Sequence, residues 1–62
     1  MQLVFDNIRK SMQFKGTVTE LLKELGTSRE EVVIKVNGKL APETTVVGPK
    51  DNVEIIKVVF GG

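Results

Sequence analysis

A chain of 62 residues with 40% hydrophobic residues and a net charge of +1 is the size of one small domain. It has no cysteine and no histidine, which removes disulfide staples, thiolate chemistry, the commonest metal ligand and the commonest general base. Acidic and basic residues are interspersed, so there is no bias toward polyanions, and no apolar run approaches the roughly 20 residues that span a bilayer.

Met1-Gln2-Leu3-Val4-Phe5 reads as a short strand, not as the basic region and apolar core of a signal segment; a soluble, cytoplasmic protein is expected. Leu3 and Phe5 alternate with Gln2, Val4 and Asp6, the period of a half-buried strand. Asp6-Asn7 opens a turn. Met12 and Phe14 then alternate with Ser11, Gln13 and Lys15. The two stretches predict a hairpin with Leu3, Phe5, Met12 and Phe14 on its inner face, its register left open because the turn has no Asn-Gly pair. Gly16 breaks the strand. Thr17-Val18-Thr19-Glu20 has the form of a capping box, and Val18, Leu21, Leu22 and Leu25 come next at i, i+3, i+4 and i+7 as one apolar stripe. Gly26 suits a left-handed helix stop. A helix of about two turns does not hold alone in water, so it must lie on a sheet.

Ser28-Arg29-Glu30-Glu31 repeats the Ser-x-x-Glu form and suggests a single helical turn. A strand over Val32–Val36 comes next, then Asn37-Gly38, the strongest hairpin signal in the chain, and a short return strand at Leu40-Ala41. Pro42 and Gly48-Pro49 punctuate the next stretch, where Val46 and Val47 are expected to tuck back as an anchor. Lys50-Asp51-Asn52 turns into the last strand, from Val53 toward Phe60, which runs into Gly61-Gly62. The expectation is one domain over residues 1–62 with a flexible tail at 60–62.

The order is strand, strand, helix, strand, short strand, strand. A right-handed crossover places the first and last strands parallel at the sheet centre with the helix across one face. That is an α+β fold of β-grasp form, with a mixed four- or five-stranded sheet. Other α+β topologies satisfy the same order of elements.

The usual catalytic constellations are absent: no Cys/His or Ser/His pair, no His-Glu zinc motif and no Gly-rich phosphate loop. No metal or cofactor site is expected, and an enzyme is not. The neighbouring carboxylates Glu30 and Glu31 read as a solvated face. Scattered Lys and Arg, with three Phe and no Tyr or Trp, do not make the stacking-and-basic groove of a nucleic-acid binder; no direct nucleic-acid or membrane partner is expected.

There remains the chain end. In the last strand Val53 and Ile55 point one way, toward the helix stripe, and Ile56, Val58 and Phe60 point the other way. With the helix on one face only, these three form an exposed apolar patch of the kind that marks partner interfaces. A covering loop, or a bulge that inverts the strand faces, would remove it. Gly61 and Gly62 carry no Cβ, and an extended chain covers roughly 3.3–3.6 Å per residue, so the tail can carry its carboxylate into a narrow pocket. A carboxylate is ionised at neutral pH and is a poor electrophile. Transfer chemistry therefore needs it activated, for example as an acyl-adenylate.

Taken together, these segments resemble the ThiS/MoaD family of ubiquitin-like sulfur carriers. The opening Met1–Phe5, the helix Thr17–Leu25, Val36-Asn37-Gly38 and the ending Asp51–Ile56 through Gly61-Gly62 look like the ThiS side in particular; MoaD members tend to be longer. The resemblance implies that an adenylating, ubiquitin-activating-like partner uses Mg-ATP on the carboxylate of Gly62. A sulfur donor then makes a thiocarboxylate, and the sulfur passes to thiamine thiazole, molybdopterin or thiolated tRNA through a synthase or tRNA thiolase. Gly61 and Gly62 match the family's reactive end, and Ile56, Val58 and Phe60 match positions that dock the activating enzyme. The run Val58-Val59-Phe60 is more apolar than many family tails, which implies tighter docking or a partner that stays bound. Two other readings use the same residues differently: a modifier joined through Gly62 to lysines of target proteins, and a passive β-grasp binding module with no chemistry at its end.

Overall fold

The elements are β1 (Gln2–Phe5), β2 (Ile8–Ser11), β3 (Gly16–Thr17), α1 (Val18–Leu25), β4 (Val32–Val36), β5 (Lys39–Leu40), β6 (Val46–Val47) and β7 (Asn52–Lys57), in a computed structural model that describes residues 1–27 and 32–58. The expected helical turn at Ser28–Glu31 lies outside the described residues. Five strands form one mixed sheet in the order β2-β1-β7-β4-β5, and β3 pairs with β6 beside it. The parallel pair sits at the centre, with Leu3 opposite Val53 and Phe5 opposite Ile55. On the other flank β4 runs antiparallel to β7 and sets Ile34 opposite Ile55. This is the β-grasp arrangement expected from the order of elements.

The core lies between the sheet and the helix. Val18, Leu21 and Leu22 of α1 and Leu3, Ile34, Val53 and Ile55 of the sheet are all buried. Burying a side chain of this size stabilises by roughly 1.5–3 kcal/mol, far more than the helix gains from its own propensity, so α1 owes its existence to the sheet beneath it.

Both helix ends are closed as the sequence suggests. The Glu20 backbone N–H donates to Thr17 Oγ1 (3.2 Å), and the Thr17 backbone N–H donates to Glu20 Oε1 (3.0 Å). The next free amides of the first turn, Val18 and Thr19, donate to the carbonyls of Thr45 and Glu43 at 2.9 and 3.0 Å, so the 42–45 loop completes the cap. At the other end Gly26 is left-handed (φ 69°, ψ 29°). Its N–H reaches the Lys23 carbonyl while that of Thr27 reaches Leu22, the paired bonds of a Schellman stop. A Cβ on Gly26 would meet nothing within 4 Å, so the cost of Gly26→Ala is conformational and should be about 1 kcal/mol. A lower urea midpoint at unchanged slope checks this. Gly48→Ala, equally unobstructed and without a positive φ, should leave the midpoint nearly unmoved.

Three local expectations shift. The second strand of the first hairpin is Ile8–Ser11, not the stretch around Met12 and Phe14. Asp6 and Asn7 both adopt positive φ (53° and 65°). Two such residues close a tight turn by themselves, so pairing resumes at once with Phe5 opposite Ile8. The inner face survives, because Met12 and Phe14 still pack half-buried against the core. The return strand is Lys39–Leu40, not Leu40-Ala41, because the two-residue turn at Asn37-Gly38 sets Val36 opposite Lys39. Of the expected anchor, only Val47 is buried while Val46 is 65% exposed, since neighbours in a strand face opposite ways.

Candidate functional site

The candidate site is the end of β7 and the residues that follow it in the sequence. β7 is held along both edges, by β1 and by β4, so its direction is set by the sheet. Val53 and Ile55 face the helix at 2% and 1% exposure, whereas Ile56 and Val58 are 38% and 36% exposed. Ile56 lies opposite half-buried Val33 of β4 on the uncovered sheet face. Strand parity places Ile56 there, and Val58 comes directly after the strand; among the described residues the pairing of β4 with β7 runs without a bulge and leaves both side chains exposed. Phe60, Gly61 and Gly62, the other residues singled out from the sequence, lie outside the described residues.

The start of β7 is locked by a polar network that joins two turns. Asp51 accepts from the Gly48 backbone N–H through Oδ2 (2.7 Å) and from Asn37 Nδ2 through Oδ1 (3.0 Å). Asn37 Oδ1 in turn accepts from the Asn52 backbone N–H (2.9 Å). The side-chain amide of Asn37 and the backbone amide of Gly48 thus hold one carboxylate between the β4–β5 turn and the entry to β7. Near the far end, Lys57 Nζ stands 5.8 Å from the centroid of the Phe5 ring, a cation–π approach that ties the end of β7 to the end of β1. Neither contact is visible in the sequence. Asp51 and Asn37 are separated by 14 residues, and no spacing rule links them; the Asn-Gly turn signals a hairpin but not what its side chain will hold.

These contacts carry a pH dependence. The Asn37 amide and then the Gly48 N–H hold the Asp51 carboxyl below its ordinary 3.8, and the backbone and hydroxyl of Thr17 hold Glu20 below 4.5. A depressed folded value stabilises the fold above the unfolded value, and that contribution disappears as pH falls through the folded one. The stability gap between wild type and Asp51→Asn should therefore be fully open at neutral pH and narrow in acid, as pH falls below the ordinary value of 3.8. Urea midpoints for both proteins at neutral and acid pH check it; a gap that widens on acidification would contradict the sign.

Among the described residues no group of three or more His, Cys, Asp or Glu side chains lies together as metal ligands. None of the described helices is long and apolar enough to cross a membrane. The carboxylates with shifted acidity, Asp51 and Glu20, are both engaged in turn and cap bonds.

A mixed sheet with a central parallel pair, one helix across one face and a last strand leading out of the sheet centre defines a ubiquitin-like β-grasp protein. The chain belongs to the ThiS family, whose family model matches residues 3–62. It is similar to the thiamine biosynthesis protein ThiS of Geobacter metallireducens, known from a crystal structure, at 28% identity and a TM-score of 0.67, with 100% of each chain covered.

Proposed function

We propose that the protein is a sulfur carrier of thiamine biosynthesis that works through the carboxylate of Gly62. The observation that carries this reading is the family match, which extends through residue 62 and so includes Gly61 and Gly62. The likeness to a thiamine biosynthesis protein over the full length of both chains supports the same pathway.

The chemistry is that of an activated carboxylate. A carboxylate oxygen of Gly62 attacks the α-phosphate of Mg-ATP in the activating partner, and pyrophosphate leaves. The resulting acyl-adenylate is an electrophile. Sulfide (HS−) attacks its carbonyl carbon, the C–O bond to AMP breaks and AMP leaves, the thiol proton goes to solvent, and the chain ends in a thiocarboxylate whose sulfur a thiazole-forming synthase takes up. The chain is a co-substrate in each step and supplies no catalytic side chain. Ile56 and Val58, exposed at the root of the tail, and Phe60 beyond them form the apolar surface that docks the activating partner. Glycines at 61 and 62 let the backbone pass where a Cβ would obstruct.

Intact mass spectrometry of the protein purified from its own cells tests this reading. A fraction with one oxygen replaced by sulfur, localised to Gly62 by fragmentation, is the expected result. Its absence together with Gly-Gly remnants on lysines of other proteins would replace sulfur carriage by conjugation through the same activated end.

A further inference from the structure

β2 pairs with β1 on one side and, among the described residues, with no strand on the other. All four of its residues are exposed. The orientation of its backbone is given by the register. Met12 N–H donates to the Met1 carbonyl at 3.0 Å and the Met1 nitrogen donates to the Met12 carbonyl at 2.9 Å, so these two form a hydrogen-bonded pair. Hydrogen-bonded pairs recur every second residue in an antiparallel ladder. Lys10 and Ile8 therefore direct their backbone groups at β1, and Arg9 and Ser11 direct theirs outward. An outward N–H and C=O at alternate residues is what an added strand engages.

The edge also carries a charge that selects its occupant. β2 reads Ile8-Arg9-Lys10-Ser11, with no proline and no acidic residue. Antiparallel pairing with a second copy, centred on Arg9, on Lys10 or between them, sets basic side chains directly opposite one another, which is destabilising. The same two cations favour a strand with acidic residues facing them. Arg9 lies opposite Val4 and so shares the uncovered sheet face, whereas Lys10 and Ile8 lie opposite Leu3 and Phe5 and share the helix face. Ile8 is 66% exposed and borders a shallow hollow with Phe5, Lys10, Lys57 and the turn carboxylate of Asp6.

We infer that the free edge of β2 is a docking site for an extended acidic segment of a protein partner, added antiparallel to β2. Acidic side chains lie opposite Lys10 and Arg9, and an apolar one lies opposite Ile8. This contact is separate from the carboxylate of Gly62 and does not depend on the carrier reading.

The test is a titration of the isotopically labelled full chain with two synthetic peptides, acetyl-TVTEEVT-amide and acetyl-TVTKKVT-amide, monitored by NMR and amide exchange. In antiparallel register the two glutamates fall opposite Lys10 and Arg9, and the valine after them falls opposite Ile8. The glutamate peptide should protect the amides of Arg9 and Ser11 and leave those of Ile8 and Lys10, already bonded to β1, unchanged. It should bind roughly tenfold or more tightly than the lysine peptide, with the difference shrinking as salt rises. The double variant Arg9→Glu, Lys10→Glu should reverse the preference. If that variant does not fold, the two peptides on the wild-type chain decide the matter alone. Equal binding of both peptides, unprotected Arg9 and Ser11 amides, or shifts centred on Ile56 and Val58 would overturn the inference. So would concentration-dependent protection of Arg9 and Ser11 without peptide, which would assign the edge to a second copy.

Discussion

Adding one alanine after Gly62 should abolish sulfur loading and leave the fold unchanged. The addition moves the terminal carboxylate by roughly 3.3–3.6 Å and puts a Cβ beside it. Adenylation requires a carboxylate oxygen aligned with the α-phosphate, and misplacement by about 1 Å can already cost on the order of a hundredfold in rate. The core, by contrast, is built, among the described residues, from positions between Met1 and Ile55. Intact mass after incubation with ATP, sulfide and the cognate activating enzyme measures the loss, and the exchange-protected amides of β1 and β7 report the fold. Trimming the extra residue with a carboxypeptidase should restore loading. An extended chain that sustains thiamine synthesis in cells without loading sulfur would leave only the reading of a passive binding module, and one that loads sulfur normally would overturn the requirement for the carboxylate to sit on Gly62.

Leu22→Asp should unfold the domain. Leu22 is 3% exposed and lies in the cluster that joins α1 to Leu3, Ile34 and Ile55. An unpaired carboxylate there costs several kcal/mol in desolvation. At about 0.05–0.15 kcal/mol per residue, a domain of this length has only about 3–9 kcal/mol in total. It has no disulfide to offset the loss. Far-UV circular dichroism and the dispersion of amide resonances should both collapse at 25 °C. Leu22→Met, which nearly conserves volume, should keep them. A folded Leu22→Asp would mean that α1 is held by its caps and the 42–45 loop and not by the sheet.

The helix and the faces of the last strand are legible in the sequence because each depends on residues close together in the chain. A capping box needs Thr17 and Glu20, a left-handed stop needs Gly26, and the inward turn of Val53 and Ile55 needs only the two-residue period of a strand. The Asn37-Gly38 turn is local in the same sense. The first hairpin is displaced by a few residues from its expected place because Asp6-Asn7 can open several kinds of turn. Only the pairing of β1 with β2 shows that both residues take positive φ. That choice leaves Ile8 exposed despite its apolar character and brings Met12 to the core through bonds to Met1.

Short-range pattern was therefore enough for α1 and its buried stripe, the outward direction of Ile56 and the resemblance carried by Gly61 and Gly62, but not for the pairing of β3 with β6. Which distant groups meet became visible only in the folded chain. Folding joined Asn37 to Asp51 across two turns, brought Lys57 over Phe5, and left the basic edge of β2 without a neighbouring strand among the described residues. Period and propensity act over a few residues, whereas these contacts depend on the order of strands in the sheet, which brings together groups that spacing along the chain does not relate.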